Sequence, residues 1–215
     1  MESGELHKAR RGASFANSYR FARESKVVRH LGQSVSRYAV AIGLFVVCAL
    51  SGCATSLDGH RYQSLEPTFD LFKYFDGSVK AWGVVQNLDG DVIQKFEVDI
   101  QGSVDGQQIT LNESFRYLFG AGPQSRTWII VKGDDGQYLG TADDVLETAV
   151  GQHFGNAFRW TYRMNIPVDD TFYEVKFEDW FWAIDDRRLI NRSYIQKFGF
   201  DVAEVTMIYF LLSAN

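Results

Sequence analysis

The sequence has little of what staples or interrupts a chain: two cysteines, three prolines and four histidines in 215 residues. Two cysteines, Cys48 and Cys53, exclude a disulfide-framed fold, and three prolines exclude a Pro-rich linker. His7, His30, His60 and His153 stand too far apart for metal-ligand spacing, so a zinc site is not expected. No dinucleotide fingerprint, phosphate loop or nucleophile elbow occurs. The main apolar run, Tyr38–Leu50, has 13 residues. As a helix it would span about 20 Å, too short for a hydrocarbon core of about 30 Å.

Positive charge is scarce over most of the chain. Residues 1–52 carry eight Lys and Arg against three acids, whereas residues 53–215 carry fourteen against twenty-four, a net charge of −10. A basic head before an acidic body is the pattern of a targeting segment followed by an exported domain. So acidic a body is repelled by phosphates, which excludes nucleic acid as a partner and a basic patch as a membrane anchor.

Arg29, His30 and Arg37 precede the apolar run, so the leader reads as a signal peptide. Its end, Leu50-Ser51-Gly52-Cys53, resembles the lipobox of bacterial lipoproteins. An apolar side chain stands three before the cysteine, and two small residues leave room for the peptidase. The thiol is needed because diacylglycerol is attached through its sulfur. Cys48 follows bulky Phe45, Val46 and Val47 and fails the same test. The expectation is therefore cleavage after residue 52, lipidation of Cys53, a polar spacer over 53–68 and a folded domain over 69–215. Acyl chains on Cys53 would hold the domain at the membrane, facing the periplasm. Ala54, where aspartate would signal inner-membrane retention, favours the outer membrane. The alternative is an ordinary buried cysteine after a membrane anchor. Residues 1–26 are long and Arg/Ser-rich for a leader, and a start near Val27, Val28 or Leu31 would give one of ordinary length.

From Phe69 on, period-two alternation dominates. Val92, Phe96, Val98 and Ile100 share one face, as do Ile109, Leu111, Phe115, Tyr117 and Phe119. Phe158, Trp160, Tyr162 and Met164 form a third set, Tyr173, Val175, Phe177 and Phe181 a fourth, and Val205, Met207, Tyr209 and Leu211 a fifth. Turn signals such as Asp89-Gly90, Asp105-Gly106 and Asp135-Gly136 separate the runs. This predicts an all-β antiparallel meander of eight to ten strands that closes into a barrel, with one short helix over Leu71–Phe75. A β-sandwich would alternate in the same way.

An ordered series of short motifs adds what periodicity does not. Phe75-Asp76-Gly77, Ala81-Trp82-Gly83, Asn112-Glu113-Ser114-Phe115 and Arg126-Thr127-Trp128 are followed by Gly140-Thr141-Ala142-Asp143-Asp144-Val145. Gly155-Asn156-Ala157, Asp179-Trp180, Asn191-Arg192-Ser193 and Lys197-Phe198-Gly199 complete it. From Leu71 to Leu212 the chain resembles the uncharacterised bacterial lipoproteins grouped as domain of unknown function 3833. The resemblance implies a lipocalin-like, calycin-type barrel, no established activity, and an inclination toward lipids.

Two carboxylates break the alternation: Glu113 stands between Leu111 and Phe115, and Asp179 between Phe177 and Phe181. An acid on an apolar face needs a partner or a proton. Arg116, Arg126, Arg159, Arg163 and Arg192 are the available cations. The pair could serve as acid and base, or hold a polar head group with an arginine; it could equally be a structural ion pair or sit on a bulge. His153 lies in a glycine-rich corner with Asn156, where a turn role competes with ligand contact. Asp134-Asp135 and Asp143-Asp144 lack calcium-loop spacing and read as solvated turns. Trp82, Trp128, Trp160, Trp180 and Trp182 either fill a barrel or line a pocket in it.

Candidate ligand contacts are thus Glu113, Arg126, Trp128, His153, Asn156, Trp160, Asp179, Trp180 and Arg192. No catalytic residue, cofactor or metal is assigned. The leading expectation is a membrane-anchored lipoprotein that binds a fatty acid, a lipid or a similar amphiphile. Its rivals are a filled barrel serving as a structural partner in the cell envelope, and an enzyme using Glu113 and Asp179.

Overall fold

The structure, a computed structural model, describes residues 57–168 and 171–215. The leader and Cys53 lie outside the described residues. Helix α1 (Leu71–Phe75) precedes ten strands. These are β1 (Gly77–Asn87), β2 (Val92–Asp105), β3 (Gln108–Phe119), β4 (Ser125–Lys132) and β5 (Tyr138–Thr141). There follow β6 (Ala149–Phe154), β7 (Ala157–Val168), β8 (Thr171–Ala183), β9 (Arg188–Lys197) and β10 (Phe200–Ala214). Each strand pairs antiparallel with the next, and β1 pairs with β10, so the meander closes into a barrel. This is the all-β, closed antiparallel meander with a short N-terminal helix that alternation and family resemblance had pointed to. Closure removes both sheet edges and decides against the sandwich.

The inward faces follow the alternation, with three rim exceptions, of which Tyr173 lies near the start of β8. Phe96, Val98, Ile100, Ile109, Leu111, Phe158, Trp160 and Tyr162 are buried. Val92 is exposed, because a register shift in the β1–β2 ladder falls between it and Phe96. Phe119 is also exposed, at the very end of β3. Inside, Trp128 meets Trp160 at 5.5 Å and Tyr162 at 5.3 Å, both edge to face. Such aromatic pairs contribute about 0.5–1.5 kcal/mol beyond the area they bury. Trp160 lies over Gly140 and Gly151, where any Cβ would overlap its ring.

One end of the barrel is plugged. Asp70 caps α1 by accepting from the Phe72 and Lys73 amides at 3.0 and 3.1 Å. The helix ends against β2, where Gly102 leaves space for the Phe75 carbonyl. The Tyr74 hydroxyl donates to the Arg187 carbonyl at 3.0 Å and so ties the plug to the β8–β9 connection. At the opposite end, where β1–β2, β3–β4, β5–β6, β7–β8 and β9–β10 connect, the described residues form no such element.

Within the segment expected as a spacer, 53–68, the described residues from Leu57 on pack against the barrel. Gly59–Tyr62 forms a 3-10 turn that packs on β6 and β7, and the Phe69 amide donates to the Gly155 carbonyl at 2.9 Å. The reason is a second apolar layer outside the barrel. Trp180 has parity opposite to Asp179 and therefore points outward, yet it is fully buried. Phe154 and Trp182 stack on it at 5.9 and 6.2 Å, and the Tyr62 ring covers it at 5.9 Å. Its indole N–H donates to Glu178 at 3.1 Å.

Removing this outer indole tests how much the layer contributes. Trp180→Ala is expected to cost about 3–5 kcal/mol in denaturant unfolding, the range for large-to-small changes at buried aromatics. A loss under about 1 kcal/mol would show that the layer outside the barrel contributes little to folding.

Candidate functional site

The barrel encloses a cavity of about 550 Å³. Its walls are Phe96, Ile100, Leu111, Trp128, Trp160 and Phe177 among other apolar side chains, and its mouth is framed by Ile93, Gln94, Gly122, Pro123, Val168 and Val202. That volume lies in the range of small-molecule sites. The interior is therefore not filled by its own side chains.

Among the residues lining the cavity, three carry charge: Glu113, Arg126 and Asp179. Pairing of β3 with β4 sets Glu113 directly opposite Arg126, with both side chains on the inner face. The guanidinium does not turn to Glu113. It forks onto Asp144 from the β5–β6 loop, with Nη2 at 2.7 Å and Nε at 2.9 and 3.0 Å. A bidentate, charge-assisted pair of this kind is the strong form of the arginine–carboxylate bond. The same guanidinium lies 5.9 Å from the rings of Phe115 and Trp128. Asp179 faces inward from β8, opposite Trp160 on β7 and Ser193 on β9. It is 7% exposed, and its Oδ1 is buried without a hydrogen-bond partner.

Burial dominates the electrostatics here. Glu113 is pushed up to about 7, first by loss of hydration, with Arg126 pulling it down and Asp144 and Asp179 adding to the rise. Asp179 is likewise pushed up to about 7 by burial, against the nearby Ser193 hydroxyl, the Arg126 charge and the Tyr162 hydroxyl. Burial also holds the Tyr162 and Tyr209 phenols well above their ordinary value, so both remain protonated. The site thus presents two acids that carry or release a proton near neutrality, surrounded by aromatic wall. Among the described residues no three His, Cys, Asp or Glu side chains gather as metal ligands.

Of the residues singled out from sequence, the structure brings Glu113, Arg126, Trp128, Trp160 and Asp179 to this cavity. Four others stand elsewhere. Trp180 is on the outer layer, and Arg192 points outward to Glu204 at 3.7 Å. His153 is exposed on β6, and Asn156 sits in the β6–β7 turn, where its carbonyl accepts from the Ala183 amide at 2.9 Å. The other arginines are likewise engaged outside: Arg116 with Glu97 at 2.6 Å, Arg163 with Glu174 at 2.9 Å. Sequence reasoning missed Asp144, read as a solvated turn, and the polar wall of Tyr162, Asn191, Ser193 and Tyr209. Asn191 donates to the Trp180 carbonyl at 3.2 Å and accepts from Ser193 at 3.3 Å. A parity count along Leu189, Asn191 and Ser193 would have placed the last two inside.

A family model described as "Protein of unknown function (DUF3833)" matches residues 47–210. None of the curated proteins matches the sequence. Among solved structures, an S-type phycobiliprotein lyase from Guillardia theta is similar at 11% identity and a TM-score of 0.47, over 67% of this chain and 92% of that one.

The raised acids have a signed consequence for stability. Between the ordinary carboxylate range and about pH 7 the folded chain holds protons on Glu113 and Asp179 that the unfolded chain has lost. Their contribution to stability therefore falls as pH rises through that window and levels off above it. Asp179→Asn removes one of these groups. The variant is expected to gain on the order of 2 kcal/mol relative to wild type between pH 5 and pH 8. Denaturant melts of both proteins across that range check it, and a difference independent of pH would show that Asp179 titrates as an ordinary acid.

Proposed function

The chain belongs to the DUF3833 family of proteins of unknown function, and we propose that it is a binding protein that holds an apolar or amphiphilic small molecule, such as a fatty acid or another lipid, inside its barrel. The observation that carries this reading is the cavity itself: about 550 Å³, walled by aromatic and aliphatic side chains, with a few polar groups converging at one place. The mouth supports it. Leu88, Phe119, Phe172 and Phe198 are exposed at the open end, on the connections or strand ends that frame the entrance. Phe198 is 89% exposed and has φ 53, a left-handed position that a bulky residue takes at a cost. An apolar rim around an apolar cavity offers a continuous surface for a ligand that avoids water.

The proposal includes attachment to a bacterial membrane through acylated Cys53, with the domain in the periplasm and the outer membrane favoured. The lipobox Leu50–Cys53 and the basic-then-apolar leader support it. Leu57, the first described residue, lies four residue steps from Cys53, and such a tether reaches at most about 14 Å. Strands of about twelve residues, tilted as in closed barrels, make a wall roughly 30 Å tall. Anchored from its plugged end, the barrel would turn its mouth away from that bilayer, toward a periplasmic donor or acceptor.

A second reading rests on the two acids poised near neutrality, which are placed to exchange a proton with a bound substrate. In that case Glu113→Gln would keep the fold and abolish turnover. In the carrier reading the same change alters affinity only.

Native mass spectrometry of the protein extracted gently from membranes is expected to show a bound small molecule in addition to the acyl groups on Cys53. A mass accounted for by the acylated chain alone, together with no uptake of a fluorescent lipid, would overturn the carrier reading. Palmitate labelling is expected to be lost in Cys53→Ser, and persistence of the label would overturn the anchoring site.

A further inference from the structure

Resting on the carrier reading, the geometry points to a ligand whose polar end is a cationic nitrogen, an alkylamine-like head seated between Glu113 and Asp179, in preference to a fatty-acid carboxylate. An amphiphile in this cavity has few places for its head, because the charged lining consists of Glu113, Arg126 and Asp179. A carboxylate head would need Arg126. That guanidinium already spends Nε and Nη2 on Asp144, at 2.7 to 3.0 Å, and lies near the faces of Phe115 and Trp128. An anion would have to displace Asp144 or lie beside three acids with a single cation among them.

A nitrogen cation meets the opposite situation. The Ser193 and Tyr162 hydroxyls lie by the Asp179 carboxyl, yet its Oδ1 is buried without a hydrogen-bond partner among the described residues, and an unmet acceptor of this kind is unfavourable until a donor arrives. An ammonium brings donors and charge together. With one of Glu113 and Asp179 ionised and the other protonated, the cluster with Arg126 and Asp144 carries a net charge of −1. One ammonium neutralises it. The aromatic walls suit the rest of such a ligand, since Trp128, Trp160 and Tyr162 present ring faces and edges to the cavity.

Binding of a cation should then strengthen as pH rises toward and past neutrality, because burial keeps protons on both acids below it. The groups facing them are Arg126 from β4, Asp144 from the β5–β6 loop, Tyr162 from β7, Glu178 on β8, the Ser193 hydroxyl from β9 and Tyr209 from β10. The two phenols stay protonated and the arginine stays charged, so the acids set the pH dependence. A primary amine remains an ammonium up to about pH 10 and adds no transition of its own.

The test compares dodecylamine, dodecanoic acid and dodecanol, equal in chain length, each below its aggregation concentration, by tryptophan emission of the purified full chain. At pH 8 dodecylamine is expected to bind at least about ten-fold tighter than dodecanoate, with the preference shrinking at pH 6. Asp179→Asn is expected to weaken dodecylamine about ten-fold and to leave dodecanol unchanged. Should that variant not fold, Glu113→Gln gives the same readout, and the wild-type ranking of the three probes stands without either. Dodecanoate binding as tightly as dodecylamine, or a substitution that shifts all three probes equally, would overturn the inference while leaving the carrier reading intact. Failure of all three probes to bind would sink both.

Discussion

The seam between β1 and β10 is the constraint on which the rest of the structure depends. Eleven residues of β1 find partners along β10, and only then does a ten-stranded meander have an inside. Closure also fixes the diameter. About eight strands make a barrel that its own side chains can fill, and the diameter grows with strand number. Ten strands leave more room, and even a wall carrying Trp128, Trp160, Tyr162 and Phe177 does not occupy it. The cavity thus follows from the number of strands, with inward glycines such as Gly140 and Gly151 making room for the Trp160 ring. The bulkiest side chains available line it.

The two ends of the barrel are built differently, and the difference gives the cavity a direction. The plug of α1 relies on short-range devices: an aspartate cap, a glycine opposite a carbonyl, a tyrosine bonded to the next hairpin. The 3-10 turn at Gly59–Tyr62 strengthens the same end from outside by covering Trp180. Among the described residues nothing comparable crosses the other end. There the connections expose apolar side chains, a feature that burial would ordinarily remove and that marks a surface meant to meet something.

Much of this was legible in the sequence, for reasons that separate cleanly by range. Alternation is local, so the inner faces of β2, β3, β7, β8 and β10 could be read directly, and so could the helix Leu71–Phe75 between its aspartate cap and Gly77. Glu113 and Asp179 were visible because each interrupts an apolar parity set. Alternation alone does not separate a closed sheet from a stacked one, since both alternate alike; strand number and the family resemblance carried the barrel expectation that the closed meander meets. Partner choice was equally hidden. Arg126 stands opposite Glu113 but bonds Asp144, eighteen residues on, and only the folded β5–β6 loop brings that acid near. Trp180 misled for a third reason. An aromatic of outward parity is normally exposed, and here a turn from far upstream buries it. His153 and Asn156 looked suggestive only through their glycine-rich neighbourhood, which belongs to a hairpin end.

The energetic character of the polar cluster argues for a site over a structural ion pair. A buried pair that served folding would join the acids in the wall to the arginine in the wall, and the register permits it, since Glu113 and Arg126 are direct cross-strand neighbours. Instead Arg126 is neutralised by an acid from a loop, while Glu113 and Asp179 are left to burial, which raises both toward neutrality. Two acids that the Arg126 charge only partly offsets, beside an open apolar volume, reduce stability in a place where leucine would increase it. That arrangement is unfavourable by itself and becomes favourable with a donor-bearing guest. The energy given up on folding is then available as selectivity in binding, because a guest that cannot supply a donor leaves Asp179 as unsatisfied as before.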